Sequence, residues 1–123
     1  MRVSANLSET YIPKFNGNRD LPVEEQIRVE LSFPTLSQRG SLSGYKFDPG
    51  KNDISVGFDT IRILSNHVKQ IFNLEDEMNG KVISIPNGKE LAMSKNPGLM
   101  PLVEELEAIV TKREDIEEDD EKN

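Results

Sequence analysis

The chain of 123 residues contains no cysteine. Disulfides, thiol catalysis, iron–sulfur clusters and cysteine-based zinc sites are therefore excluded. It has a single histidine, His67, and one imidazole without thiols cannot build the usual structural zinc set. Uninterrupted apolar runs are only a few residues long, so no segment reads as a transmembrane helix. Residues 1–10 lack the apolar stretch of a secretory signal. Two catalytic signatures are also missing. No Gly-x-Ser-x-Gly elbow presents a nucleophile, and no Gly-x-x-x-x-Gly-Lys loop cradles a phosphate. Gly80-Lys81 and Gly88-Lys89 each follow an Asn and read as turns. The expectation is a non-enzymatic, cofactor-free protein of a reducing cytoplasm.

What is present is charge, unevenly placed. The formal net charge is −7. Residues 1–113 hold 15 acids against 14 bases, whereas residues 114–123 hold seven acids against one Lys. The chain thus reads as one nearly neutral domain (1–113) with a disordered acidic tail (114–123), because a segment with one apolar residue cannot offset the entropy of ordering itself. Bases are dispersed and aromatics sparse, which argues against a nucleic-acid platform. The acidic balance argues against an anionic membrane surface.

Along the domain, the period of the apolar residues changes. An N-terminal arm (1–22) reads as irregular, punctuated by Pro13, Gly17 and Pro22, with a turn at Asn16-Gly17-Asn18. It nevertheless carries Tyr11, Ile12 and Phe15, so it is expected to pack on its own core or on another chain. Residues 26–33 alternate strictly, with Ile27, Val29, Leu31 and Phe33 apolar, and predict a half-buried strand stopped by Pro34. Leu42, Tyr45 and Phe47 suggest a short second strand before the turn Asp48-Pro49-Gly50. In residues 58–72, Ile61, Leu64, Val68, Ile71 and Phe72 recur at three and four residues. This predicts one helix with Asp59 as its N-cap, which Ile54 and Phe58 would extend backwards. Asn79-Gly80 marks a hairpin between 73–77 and 82–85. Asn87 is placed to cap a short helix, Gly88–Met93, and Asn96-Pro97 to start the last one. That last helix has a stripe of Leu99, Leu102, Leu106, Ile109 and Val110, with Glu104, Glu105 and Glu107 on its wet side and Lys112 and Arg113 at its end. The fold class that follows is α+β: a small, mainly antiparallel sheet with one hairpin, packed against two or three helices.

Candidate chemistry is thin. His67 lies beside the apolar stripe and is expected to be a boundary histidine satisfied by solvent or a carboxylate. Glu75-Asp76-Glu77 places Glu75 and Glu77 on one strand face, where charge guards an edge against aggregation. Protein–protein interaction is the function class left.

Three stretches carry a resemblance. Residues 11–35 (YIPKFNGNRDLPVEEQIRVELSFPT) join an aromatic arm, an Asn-Gly element, a Leu-Pro dipeptide and an alternating strand ending in Phe-Pro-Thr. Residues 66–85 (NHVKQIFNLEDEMNGKVISI) run from a helix into an NLE segment and a Gly-Lys hairpin. Residues 88–110 combine a GKEL helix, Asn-Pro-Gly-Leu and an acidic amphipathic helix. In this order they resemble the small tail assembly chaperones of long-tailed bacteriophages, over roughly residues 11–110; the Ser-rich stretch 37–44 departs from the pattern. The resemblance implies binding to the phage tape measure protein and tail tube protein in the host cell cytoplasm, and absence from the finished virion. It also implies a longer form made by ribosomal frameshifting, for which Glu121-Lys122-Asn123 is a compatible slippery site if encoded GAA-AAA-AAC. Candidate partner-binding residues are Tyr11, Ile12 and Phe15 of the arm and Leu99, Leu102 and Leu106 of the last helix. Two alternatives remain open: a stoichiometric tail or head–tail connector protein, and a small acidic protein-binding regulator. Oligomeric state is not legible.

Overall fold

The computed structural model describes residues 1–39, 42–48 and 53–111. The expected acidic tail, Lys112, Arg113 and most of the Asp48-Pro49-Gly50 turn lie outside them. Seven strands and four α-helices are described: β1 (Ser8–Tyr11), β2 (Arg28–Ser32), α1 (Leu36–Arg39), β3 (Ser43–Asp48), β4 (Asp53–Phe58), α2 (Thr60–His67), β5 (Val68–Phe72), β6 (Glu75–Met78), β7 (Lys81–Ser84), α3 (Gly88–Met93) and α4 (Met100–Val110). The architecture is α+β. β1, β2 and β5 form an antiparallel sheet in that order, and β3–β4 and β6–β7 are separate antiparallel pairs.

β2 is the central strand because its alternation suits a sheet with one wet face. Val29 and Leu31 are buried, while Arg28 is exposed and Glu30 and Ser32 half-buried. On the outer face Thr10 Oγ1 donates to Glu30 across the β1–β2 pair at 2.8 Å. The inner face, with Val68 and Ile71 of β5, meets Ile63 and Leu64 of α2 and Leu102, Leu106, Ile109 and Val110 of α4 in one buried cluster. Burying each such side chain contributes roughly 1.5–3 kcal/mol before entropy is counted.

Two expectations about element type are corrected. The arm is not wholly irregular: β1 pairs with β2 from Ser8↔Ser32 to Tyr11↔Val29. Only Tyr11 of its four residues is fully buried, so no alternation announced it. The expected helix over 58–72 is three elements. β4 ends at Phe58, α2 runs from 60 to 67, and β5 follows directly, so no helix extends back through Ile54. Asp59 does cap α2, accepting from the Arg62 N–H at 3.1 Å. Val68 and Ile71, three apart, suggested a helical stripe. They share a strand face instead because the β2–β5 register shifts between Glu30 and Leu31, leaving Lys69 without a counterpart. One extra residue inverts the phase of a strand.

The remaining local signals hold, with one exception. Asn79 (φ 55°) and Gly80 (φ 80°) form the β6–β7 turn, since a two-residue hairpin turn of this hand needs positive φ at both positions. Asn87 accepts from the Glu90 N–H and caps α3. Asn96 departs from expectation: it caps a 3-10 turn, Pro97–Leu99, and α4 itself begins only at Met100.

A candidate docking groove

The arm is fastened by buried polar bonds. Asn16 and Gly17 take left-handed backbone angles, and the turn they make drives Asn18 inward. The Asn18 amide donates to the Pro13 and Ile27 carbonyls at 2.9 and 3.1 Å, and its oxygen accepts from the Ile27 N–H at 2.6 Å. Arg19 donates to the Ile12 carbonyl and lies over the Tyr11 ring. Glu105 of α4 receives both the Tyr11 hydroxyl, at 2.6 Å, and the Lys14 N–H, at 2.7 Å. Glu105 and Glu107 are therefore half-buried braces, not wet-side residues; Glu107 accepts from the Thr60 hydroxyl on α2. Glu104 alone of the three is exposed.

These bonds settle where the candidate partner-binding residues lie. Tyr11, Leu99, Leu102 and Leu106 belong to the buried core. Phe15 is half-buried against it, and Ile12 is half-buried. The arm therefore packs on its own core, one of the two placements expected of it, and Leu102 and Leu106 of α4 are covered there. The physical reason is that α4 faces α2 and the arm at once, and its stripe is covered from both sides.

His67 is also more buried than expected, 4% exposed, with Ser32 Oγ 3.3 Å from Nδ1. Burial, then the nearby Lys69 charge, push its pKa below the usual histidine value, against a smaller opposing effect of Ser32. Asp76 is turned inward from the acidic strand, accepting from Ser94 Oγ and Asn96 Nδ2 at 2.8 Å each. Glu75 and Glu77 stay exposed on the opposite face, as their spacing predicts. Asp76 thus ties the hairpin to the segment joining α3 and α4. Among the described residues no group of three or more His, Asp or Glu is arranged to hold a metal ion, and no helix is long and apolar enough to cross a membrane.

Exposed apolar area sits elsewhere, on the outer side of α2, α3 and α4. There Ile61, Leu64, Leu91, Ala92, Leu99, Met100 and Val103 line an open groove of about 250 Å³, with Ser94, Asn96, Thr60, Glu104 and Glu107 as its polar lining. Ile61 is 65% exposed and Met100 54%. Ile61 breaks the expected α2 stripe, because the helix turns Ile63 into the core in its place. Of the candidate residues only Leu99 reaches the groove. A sequence signal did exist: Met100 follows the Asn-Pro-Gly-Leu turn directly, and methionine suits adaptable contact surfaces. A second exposed apolar area is the hairpin, where Val82 and Ile83 are 52% and 51% exposed on opposite faces of β7.

No family model, curated protein or solved structure matches this chain.

Proposed function

We propose that this protein is a non-enzymatic tail assembly chaperone of a long-tailed bacteriophage. In the host cytoplasm it would bind the tape measure protein and tail tube subunits during tail morphogenesis. The order of motifs over residues 11–110 supports this reading, and the observation that carries it is the open apolar groove of α2, α3 and α4. A chaperone of a long helical polypeptide has to cover apolar stripes reversibly. A shallow groove with flexible methionine at its edge does this by helix-in-groove packing, without an active site. Among the described residues the buried polar side chains are already engaged: Asn18, His67, Asp76 and Thr111 all contact partners within the domain. The functional material is thereby left at the surface.

Co-expression with the tape measure and tail tube proteins of the same phage tests the reading. Co-purification with either, reduced by Ile61→Glu, is the expected result. Recovery of neither partner sinks it.

The exposed hairpin favours a second reading, a stoichiometric tail or head–tail connector protein whose β7 edge bridges neighbouring subunits. Mass spectrometry of purified virions separates the two. Abundant copies favour the connector, and absence favours the chaperone.

A further inference from the structure

We infer that the α2–α3–α4 groove selects one kind of occupant: an amphipathic helix of a partner protein that carries Lys or Arg beside its apolar stripe. The inference deepens the chaperone reading and rests on the groove being its docking surface. At about 250 Å³ the cavity falls below the roughly 300–1,000 Å³ of sites that swallow a small molecule whole. It has room for a few side chains whose backbone stays outside, which is how a helix seats its apolar anchors. Among the described residues the charged lining is of one sign. Glu104 and Glu107 line the groove, and among the described residues no Lys or Arg does. Lys95 sits in sequence between the lining residues Ser94 and Asn96 but does not line the groove. Glu107 also holds the Thr60 hydroxyl, whereas Glu104 is exposed at the rim, where a cation of the occupant can meet it. Like charges across such a wall would be disfavoured, so the carboxylates set the sign and orientation of the partner rather than most of its affinity.

Charge also disposes of the nearest competing occupant. Residues 114–123 follow α4 in sequence, but carry seven acids against one Lys, and an acidic segment is repelled by an acidic wall. A second copy brings a second acidic segment, residues 114–123, with seven acids against one Lys, and that charge disfavours self-association.

The test uses the full-length, isotope-labelled chain and two synthetic helices of equal length and identical leucine stripe, one flanked by Lys and the other by Glu. The Lys helix is expected to bind about tenfold more tightly, shifting amide signals within residues 60–64, 91–96 and 99–107. The preference should shrink as salt rises. Glu104→Lys should abolish or reverse it, and Ile61→Glu should weaken both peptides. Both side chains are exposed, so these variants keep the fold. Equal binding of the two helices, or no binding, overturns the inference. So do shifts confined to residues 112–123, which would assign the attraction to the tail. A dimer of the free chain in sedimentation that Ile61→Glu dissolves also overturns it, giving the groove to a second copy. Because the peptides contain no phage sequence, failure to co-purify a tape measure protein would remove the chaperone reading and leave this result standing.

Discussion

The N-terminal arm and the β6–β7 hairpin are opposites. The arm has little regular structure, yet it is bound to the domain by Asn18 and Glu105, with partners up to 94 residues away in sequence. The hairpin has a favourable turn and a full four-pair register, yet all four residues of β7 are exposed. Local regularity and attachment are separate properties. A hairpin satisfies its own backbone and needs the body only at its root, through Leu74, Ile85 and Asp76. An irregular arm has no internal ladder, so buried side chains must supply the bonds its backbone lacks.

The contrast can be broken hardest where the hairpin returns to the body. Gly88 opens α3 against α2, and a Cβ there would lie 2.0 Å from the Leu64 carbonyl oxygen and 2.6 Å from Val68 Cβ. Gly88→Ala should cost about 3 kcal/mol or more, since neighbouring backbone has to move. A urea midpoint equal to that of the parent chain would refute this close seating. Next is the arm's anchor. Asn18→Ala leaves the Ile27 N–H without its 2.6 Å acceptor and should cost roughly 2 kcal/mol, measurable by chemical denaturation. Glu105→Ala releases the Tyr11 hydroxyl and the Lys14 N–H from a half-buried position. About 1 kcal/mol is expected, with faster amide exchange over residues 8–14 and unchanged exchange in β6–β7.

A pH titration sharpens the same comparison, because His67 lies in the body and not in the hairpin. Its folded pKa is lowered below 6.5, so folding favours the neutral ring. As pH falls below about 6.5, the unfolded chain takes up a proton before the folded one does, and stability declines until the folded pKa is passed. His67→Gln should flatten that decline. A slope unchanged in the variant would assign it to other groups. The smallest effect is expected at the hairpin's far strand. Ile83→Thr should change stability by no more than about 0.5 kcal/mol, and a larger loss would mean that β7 is covered by something in solution.

Much of the fold was legible because its signals are local. Asp59 and Asn87 cap the helices their positions suggest, Asn96 caps the 3-10 turn before α4 instead of α4 itself, and each accepts a backbone N–H two or three residues on. Asn79-Gly80 turns the hairpin, and β2 alternates as a half-buried strand must. What misled was spacing without context. Val68 and Ile71 carry a helical interval on a strand with an extra residue. β1 could not be read because its pairing is with β2, some twenty residues on. The groove was hidden for a related reason. Ile61 and Ile63 are both apolar residues of one helix, and only the placement of α3 and α4 decides which of them is covered.

By itself the sequence determined the α+β class, the caps, one hairpin and the exclusion of thiol chemistry, each of which depends on residue type or on neighbours within about four positions. The tertiary structure decided the rest. It enclosed the aromatic arm and the α4 stripe, turned Asp76 and His67 inward, and left Ile61, Met100, Val82 and Ile83 at the surface. Burial depends on which distant segments arrive to cover a side chain, and a local apolar pattern states that a residue prefers cover without stating whether the fold provides it.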